Sequence, residues 1–288
     1  MIPDRDINTA LGRIICGDNT KVLSGFPDAC IDLVVTSPPY DDLRTYGGHS
    51  WSFETLAAQL VRVLKPGGVI VWVVADATVD GSETLTSMRQ AIHFKDVCGL
   101  NVHDTMIYRK LTYLPMTHNR YEQAWEYMFV LSKGKPKCFT PKLTALSSPR
   151  KRVIVIRNGD ARDKVSRQNS GEFRIVENVF SYKCGGGHTD TDGLAHQHPA
   201  PFPEMLAKDT IASWSNPGDV ILDPFSGSGT TCKAAKELNR QFIGVEINSD
   251  YCKLAEARLS QDVFQLEVCD KPDNAPSCGQ LEIESQTL

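Results

Sequence analysis

No apolar run in this sequence is longer than Val69–Ala75, far short of the roughly 18 residues that span a bilayer. A membrane-spanning helix is therefore not expected. The nine cysteines never stand as a CxxC pair; their odd number and irregular spacing argue for reduced thiols and against a disulfide framework or a zinc site. The seven histidines form no HxxxH pair, and His196 and His198 sit in a loop-like stretch beside a proline, so no metal is expected. A phosphate-binding GxxxxGK[ST] loop is absent as well. The opening MIPDRDINTALGR lacks the basic-then-apolar layout of a signal peptide. Free thiols without a leader predict a cytoplasmic location.

What is present is an ordinary soluble composition, 41% hydrophobic and 23% charged over 288 residues, enough for one large domain or two small ones. The net charge of −4 by itself speaks against nucleic acid. Its distribution reverses that reading. Between Lys133 and Lys183 there are 13 Lys/Arg against 4 Asp/Glu, interleaved with Phe173, Phe180 and Tyr182. A basic segment inside an acidic chain predicts a polyanion-binding surface.

Strand and helix signals alternate at both ends, the pattern of a mostly parallel α/β sheet. Strands are expected at Arg13–Cys16, Ile31–Thr36, Val69–Ala75, Thr105–Arg109, Ala124–Leu131, Val220–Asp223 and Phe242–Glu246. Helices are expected at Phe53–Leu64, Phe202–Trp214, Thr230–Leu238 and Ser249–Leu259. Lys65-Pro66-Gly67-Gly68 reads as the stop after the first helix. The basic middle, 133–197, reads as an insertion with short strands at 153–156 and 173–176. It divides a catalytic part, 1–132, from a second part of the same domain, 198–261. The acidic stretch 262–288 reads as a disordered tail.

Two strand ends carry chemistry. In VILDPFSGSGTT (220–231) Gly227 and Gly229 let backbone approach a ligand. An acid, Glu246, closes the next strand, where such folds grip ribose hydroxyls. In TSPPY (36–40) two prolines hold the backbone extended. Ser37 and the Pro38 carbonyl offer acceptors, and Tyr40 offers an aromatic face. Such an array suits a planar, amino-bearing base. If the two strands lie side by side at the switch point of the sheet, both motifs open into one crevice.

TSPPY followed by DPFSGSGTT, with a basic insertion between, resembles the amino-methylating DNA methyltransferases of the permuted beta group. The likeness extends to Gly17-Asp18, RVLKPGG (62–68), YMFVLSKG (127–134), His198-Pro199 and FIGVEIN (242–248). It implies the Rossmann-like, doubly wound, mostly parallel fold of class I methyltransferases with an inserted target-recognition region. It also implies S-adenosylmethionine as cofactor and double-stranded DNA as substrate. By this resemblance Ser37, Pro38, Pro39 and Tyr40 form the base pocket. Asp18, Asp223, Pro224, Phe225, Gly227, Gly229, Thr230 and Glu246 line the cofactor, with His198 and Pro199 near its methionine end. Arg150, Lys151, Arg152, Arg157, Arg162, Lys164 and Arg167 hold DNA. Phe202 stands where the family often has a lysine, so no ammonium contact is implied there.

SPPY is more typical of cytosine-N4 members and DPPY of adenine-N6 members, so cytosine is favoured and adenine is the alternative. A remoter alternative is a nucleic-acid-binding protein with an inactive core. Related glutamine and RNA methyltransferases carry their (N/D)PPY after the glycine-rich motif, the reverse of the order here. A bacterial, archaeal or phage-encoded monomer or homodimer is expected, with any cognate restriction endonuclease acting separately.

Overall fold

Strands buried on both faces belong in the middle of a sheet, and Ile31–Thr36 is buried at every position. The computed structural model describes residues 6–39, 51–112, 120–145, 151–158, 161–168, 173–183 and 203–261, with 151–158 and 161–168 as backbone alone. In chain order the first elements are β1 (Arg13–Cys16), α1 (Asn19–Ser24), β2 (Ile31–Thr36), α2 (Phe53–Val63) and β3 (Leu64–Val74). A small pair, β4 (Thr78–Val79) and β5 (Ser82–Glu83), precedes α3 (Thr86–Asp96), β6 (Asn101–Lys110) and β7 (Trp125–Ser132). Then come β8 (Leu143–Ala145), β9 (Lys151–Asn158), β10 (Ala161–Gln168), β11 (Phe173–Ile175) and β12 (Val179–Tyr182). The chain continues through α4 (Glu204–Trp214), β13 (Val220–Asp223), α5 (Thr230–Glu237), β14 (Gln241–Glu246) and α6 (Ser249–Leu259).

Eight strands form one sheet in the order β1-β14-β13-β2-β3-β7-β6-β12. Only β7 runs antiparallel to its neighbours. On one face Val34, Ile70, Trp72, Leu222, Ile243 and Val245 pack with Leu23 of α1, Leu56 and Leu60 of α2 and Phe94 of α3. Their sequence neighbours Leu33, Val35, Val69, Val71 and Ile221 are equally buried and point to the other face, where α4, α5 and α6 pack. This is a doubly wound α/β sheet. Each fully buried large aliphatic contributes on the order of 1.5–3 kcal/mol. The indole of Trp72, buried in this core, donates to Gln90 Oε1 at 2.8 Å, so no polar atom is stranded there.

Several boundaries differ from the sequence expectation. Lys65–Gly68 does not separate α2 from β3 as a turn: Leu64 already pairs with Ile31, and Gly67 N–H donates to the Lys133 carbonyl at 2.7 Å. Gly67 stands at φ +75°, and this positive φ lets the ladder begin with a kink rather than a loop. The helices α1 and α3 have no counterpart among the expected elements. Both start at local signals that a hydrophobic period does not report: Asp18 caps α1, and Leu85 enters α3 through a left-handed conformation.

The chain divides into two compact units, Met1–Thr140 with Asn178–Leu288, and Pro141–Glu177. The second holds two antiparallel pairs, β9 with β10 and β8 with β11. Part of the basic, aromatic segment thus belongs to the first unit, and there its groups are packing groups. Lys133 Nζ donates to the carbonyls of Val61 and Leu64 at 2.7 and 2.9 Å. Lys137 Nζ pairs with the buried Asp32 at 2.5 Å and with Asp219 at 2.8 Å. β12 joins the large sheet beside β6. It buries Phe180 and brings the Tyr182 hydroxyl to donate to Asp209 at 2.5 Å. Phe180 and Tyr182 are therefore not an exposed contact surface; Phe173, in the second unit, is 48% exposed. Among the described residues, no helix is long and apolar enough to cross a membrane. The stretch 262–288 lies outside the described residues.

Candidate active site

From β13 the chain steps through α5 to β14 on one side, and from β2 through α2 to β3 on the other. Strand order reverses between β13 and β2, which are parallel neighbours with Ile221 beside Leu33 and Leu222 beside Val34. Both strands end at the same rim. One continues into Ser37-Pro38-Pro39, the other into Pro224–Gly229. A crevice outside the carboxyl ends of the strands is where such sheets bind ligands.

A buried hydrogen bond ties the two ends together. Thr36 Oγ1 donates to Asp223 Oδ1 at 2.7 Å, and Phe225 N–H donates to the same oxygen at 3.1 Å. Burial raises the Asp223 acid to about 6, and the repulsion of Glu246 adds to it; hydrogen bonds from the Thr36 and Thr231 hydroxyls and from Phe225 N–H work the other way. Asp223 thus sits behind the crevice as a fastener between strands. Pro38 is buried, while Ser37 and Pro39 are half-buried.

The glycine-rich turn is held from three sides. Gly227 and Gly229 have φ of +50° and +79°. A Cβ on Gly229 would stand 2.9 Å from the Ala255 Cβ, so α6 packs against the turn where only glycine fits. Glu246, at the end of β14, accepts from Gly227 N–H at 2.9 Å and from Asn248 N–H at 2.8 Å. From α6 the buried Arg258 donates through Nη1 to the Ser228 carbonyl at 2.7 Å, to Ser228 Oγ at 3.1 Å and to Thr230 Oγ1 at 3.0 Å.

Around this turn, Asp18 Oδ1 accepts from Lys21 N–H at 2.9 Å, and Asn19 Nδ2 donates to the Pro224 carbonyl at 3.2 Å. The half-buried Phe225 ring meets Trp51 edge-on at 4.9 Å between centroids. Trp51 in turn touches Phe53 and Trp72, so one wall of the crevice is continuous with the aromatic core.

Ser37, Pro38, Pro39, Asp223, Pro224, Phe225, Gly227, Gly229 and Glu246 therefore come together on the rim of three adjacent strands, β2, β13 and β14. Asp18 is brought to the same rim by β1, whose Cys16 pairs with Glu246. Thr230 is buried, with its hydroxyl engaged by Arg258. Tyr40, Arg150, His198 and Pro199 lie outside the described residues. For Lys151, Arg152, Arg157, Arg162, Lys164 and Arg167 the backbone places each in β9 or β10. Sequence reasoning gave no role to Thr36, Asn19 or Arg258. Thr36 opens the TSPPY motif, and its partner across the sheet was the missing signal. Arg258 follows a helical period as if it were a surface base, and only packing turns it inward.

The DNA methylase family N6_N4_Mtase matches residues 31–257. The orphan methyltransferase M.BamHII of Bacillus amyloliquefaciens is 48% identical over 243 residues, 82% of this chain and 91% of that protein. The type II methyltransferase M.BglII of Bacillus subtilis is 28% identical over 90% of this chain and 72% of its own length. Among solved structures, a PvuII DNA methyltransferase described as cytosine-N4-specific superposes with a TM-score of 0.64 at 22% identity, covering 87% of this chain and 86% of that one. The protein TTHA0409 of Thermus thermophilus, complexed with S-adenosyl-L-methionine, gives 0.57 at 25% identity over 86% and 92%. The family match spans both strand-end motifs, and nearly half the aligned residues are shared with M.BamHII; this chain belongs to the N6/N4 DNA methylase family and is a DNA methyltransferase.

Proposed function

We propose that this methyltransferase carries a methyl group from S-adenosylmethionine to the exocyclic amino nitrogen of a base flipped out of double-stranded DNA, with cytosine N4 as the acceptor. The observation that supports this reading best is the Thr36–Asp223 hydrogen bond. It fixes Ser37-Pro38-Pro39 beside the glycine-rich turn, so a base held by the first and a cofactor held by the second share one crevice. The donor set also fits the cofactor. The Glu246 carboxylate is an acceptor for a ribose diol, and the half-buried Phe225 ring offers an apolar face for a purine. Gly229, which carries no Cβ, lets α6 pack against this turn at Ala255 and so hold its shape. Asp18, Pro224, Gly227, Thr230, His198 and Pro199 complete the proposed cofactor set.

The amino nitrogen of cytosine is a poor nucleophile because its lone pair is conjugated with the ring. Ser37 Oγ and the Pro38 carbonyl accept its two N–H groups. They thereby favour a pyramidal nitrogen whose lone pair leaves the ring plane, an interaction strongest where the geometry changes. When bound, S-adenosylmethionine supplies an electrophilic methyl group on a sulfonium. The chain's part is alignment, for which proximity supplies much of the rate. Flipping costs a few kcal/mol, offset by stacking on Tyr40 and by phosphate contacts from Arg150, Lys151, Arg152, Arg157, Arg162, Lys164 and Arg167. Ser37 in place of the acid of DPPY motifs supports cytosine over adenine.

The test is incubation of the purified protein with mixed-sequence duplex DNA and methyl-labelled S-adenosylmethionine, followed by nucleoside analysis. Label in N4-methylcytosine is expected. Label in N6-methyladenine overturns the choice of base, and no label overturns the enzymatic reading.

A further inference from the structure

The three buried residues of α6, Cys252, Ala255 and Arg258, stand three apart and so form one stripe of the helix. Each meets a part of the proposed cofactor rim. Cys252 Sγ donates to the Glu246 carbonyl at 3.5 Å. Ala255 stands where a Cβ on Gly229 would come within 2.9 Å of its own. Arg258 Nη1 serves three oxygens of the turn, the Ser228 carbonyl at 2.7 Å, Ser228 Oγ at 3.1 Å and Thr230 Oγ1 at 3.0 Å. The turn is thus held by charges of both signs: Glu246 accepts from Gly227 N–H at 2.9 Å, and Arg258 donates to the carbonyl of the next residue.

We infer that Arg258 is a positioning residue for the cofactor: its guanidinium sets the shape of the glycine-rich turn from behind, and the turn in that shape binds S-adenosylmethionine. The inference rests on the cofactor site proposed above. Packing alone is a poor account of this side chain. At 1% exposure its guanidinium has given up its hydration, a large penalty for any ion. It also lies against the start of α5, which begins at Thr230, where the helix dipole disfavours a cation. An apolar side chain of similar volume would fill the stripe without either cost, and local rules broken in this way concentrate at functional sites. What the guanidinium adds is direction. Nη1 draws three oxygens of the turn to one point and so fixes the left-handed φ of +50° at Gly227 and +79° at Gly229. A turn held in its binding shape before the ligand arrives spends no affinity on being ordered.

Arg258→Met in the full chain keeps most of the apolar stem and removes the donors. It should weaken S-adenosylhomocysteine binding, read by calorimetry, by about tenfold or more, the scale on which a misplaced group is felt. Arg258→Lys keeps the charge but not the planar set of donors and should fall between. Methyl transfer by Arg258→Met at saturating cofactor should keep the parental rate, the pattern of lost binding rather than of a lost transition-state contact. Leu60→Ala is the control for stability alone. It empties the core beneath α2, so it should lower the urea midpoint while cofactor affinity stays at the parental value, as for independent sites. Methylguanidinium added to Arg258→Ala should restore part of the lost affinity, and an ammonium salt at the same ionic strength should not.

Parental S-adenosylhomocysteine affinity in a folded Arg258→Met protein overturns the inference and makes the residue a packing group. An equal loss of affinity in Leu60→Ala overturns it too, as does a slowed rate at saturating cofactor with affinity unchanged. Should Arg258→Met not fold, Arg258→Lys carries the comparison, and parental affinity in that folded variant is equally fatal. A parent that binds S-adenosylhomocysteine and tolerates Arg258→Met leaves the proposed cofactor site standing. A parent that binds none removes the site beneath the inference.

Discussion

Removing the Glu246 carboxylate separates two jobs that this site asks of one side chain. In the structure Glu246 accepts from Gly227 N–H at 2.9 Å and from Asn248 N–H at 2.8 Å, and so staples the glycine-rich turn and the start of α6 to the end of β14. Hydrogen bonds to a charged group are worth about 1.5–3 kcal/mol each when buried. Glu246 is only half-buried, so solvent reduces the pair to about 1–3 kcal/mol in total. Glu246→Ala should therefore lower the stability of the cofactor-free protein by that amount in urea unfolding. If the same carboxylate also grips the ribose diol, cofactor affinity falls by a further 1–3 kcal/mol or so, about 5- to 150-fold in Kd. Glu246→Gln should fall between, because its amide oxygen can accept only one of the two N–H groups while its own NH2 confronts the other.

Calorimetry with S-adenosylhomocysteine and its 3′-deoxy analogue makes the distinction. The parent should bind the deoxy analogue more weakly than the natural ligand, and Glu246→Ala should bind the two nearly alike. A folded Glu246→Ala protein that discriminates between them as well as the parent does would refute the ribose assignment and leave the staple alone.

Asp223, raised to about 6 by burial, should leave a pH signature. Its folded form binds a proton more readily than the unfolded chain, so its contribution to stability is present below about pH 4, falls as pH rises towards 6 and stays lost above. Asp223→Asn does not titrate, so its Tm relative to the parent should increase from pH 4 to pH 7; a difference flat across that range refutes the buried-acid account. Gly229→Ala places a side chain at φ +79° against Ala255, which should cost about 1–3 kcal/mol of stability and weaken cofactor binding; an unchanged urea midpoint would show that α6 yields. Ser37→Ala should leave cofactor affinity intact while slowing methyl transfer in single-turnover kinetics, and Tyr40→Ala should slow it more, by the ~1–3 kcal/mol of lost base stacking. Parental rates with a lowered Tm would place either residue in packing.

Local order was legible in the sequence because it is written in short range. The helix at Phe53–Leu64 read from a 3.6-residue period, and Ile31–Thr36 and Val220–Asp223 read as short, mainly apolar strands. The two motifs at their ends could be paired only as a condition, since nothing local says which strands touch. The sheet supplied the answer: β13 lies against β2, and Thr36 meets Asp223 across 187 positions of sequence. Composition misled where a charged or aromatic residue has two uses. Lys133, Lys137, Phe180 and Tyr182 count towards a basic, aromatic surface in the sequence, yet Asp32, Asp219, Asp209 and backbone carbonyls of the large unit claim their polar groups, and β12 claims their rings. Arg258 is the sharpest case. Its helix period gives it no role, and it lies buried against Ser228 and Thr230 because the turn offers three oxygens that only a long cationic donor from α6 reaches. Propensity and periodicity act over a few residues and can be read from them; charge satisfaction and the choice of strand neighbours are properties of the packed whole.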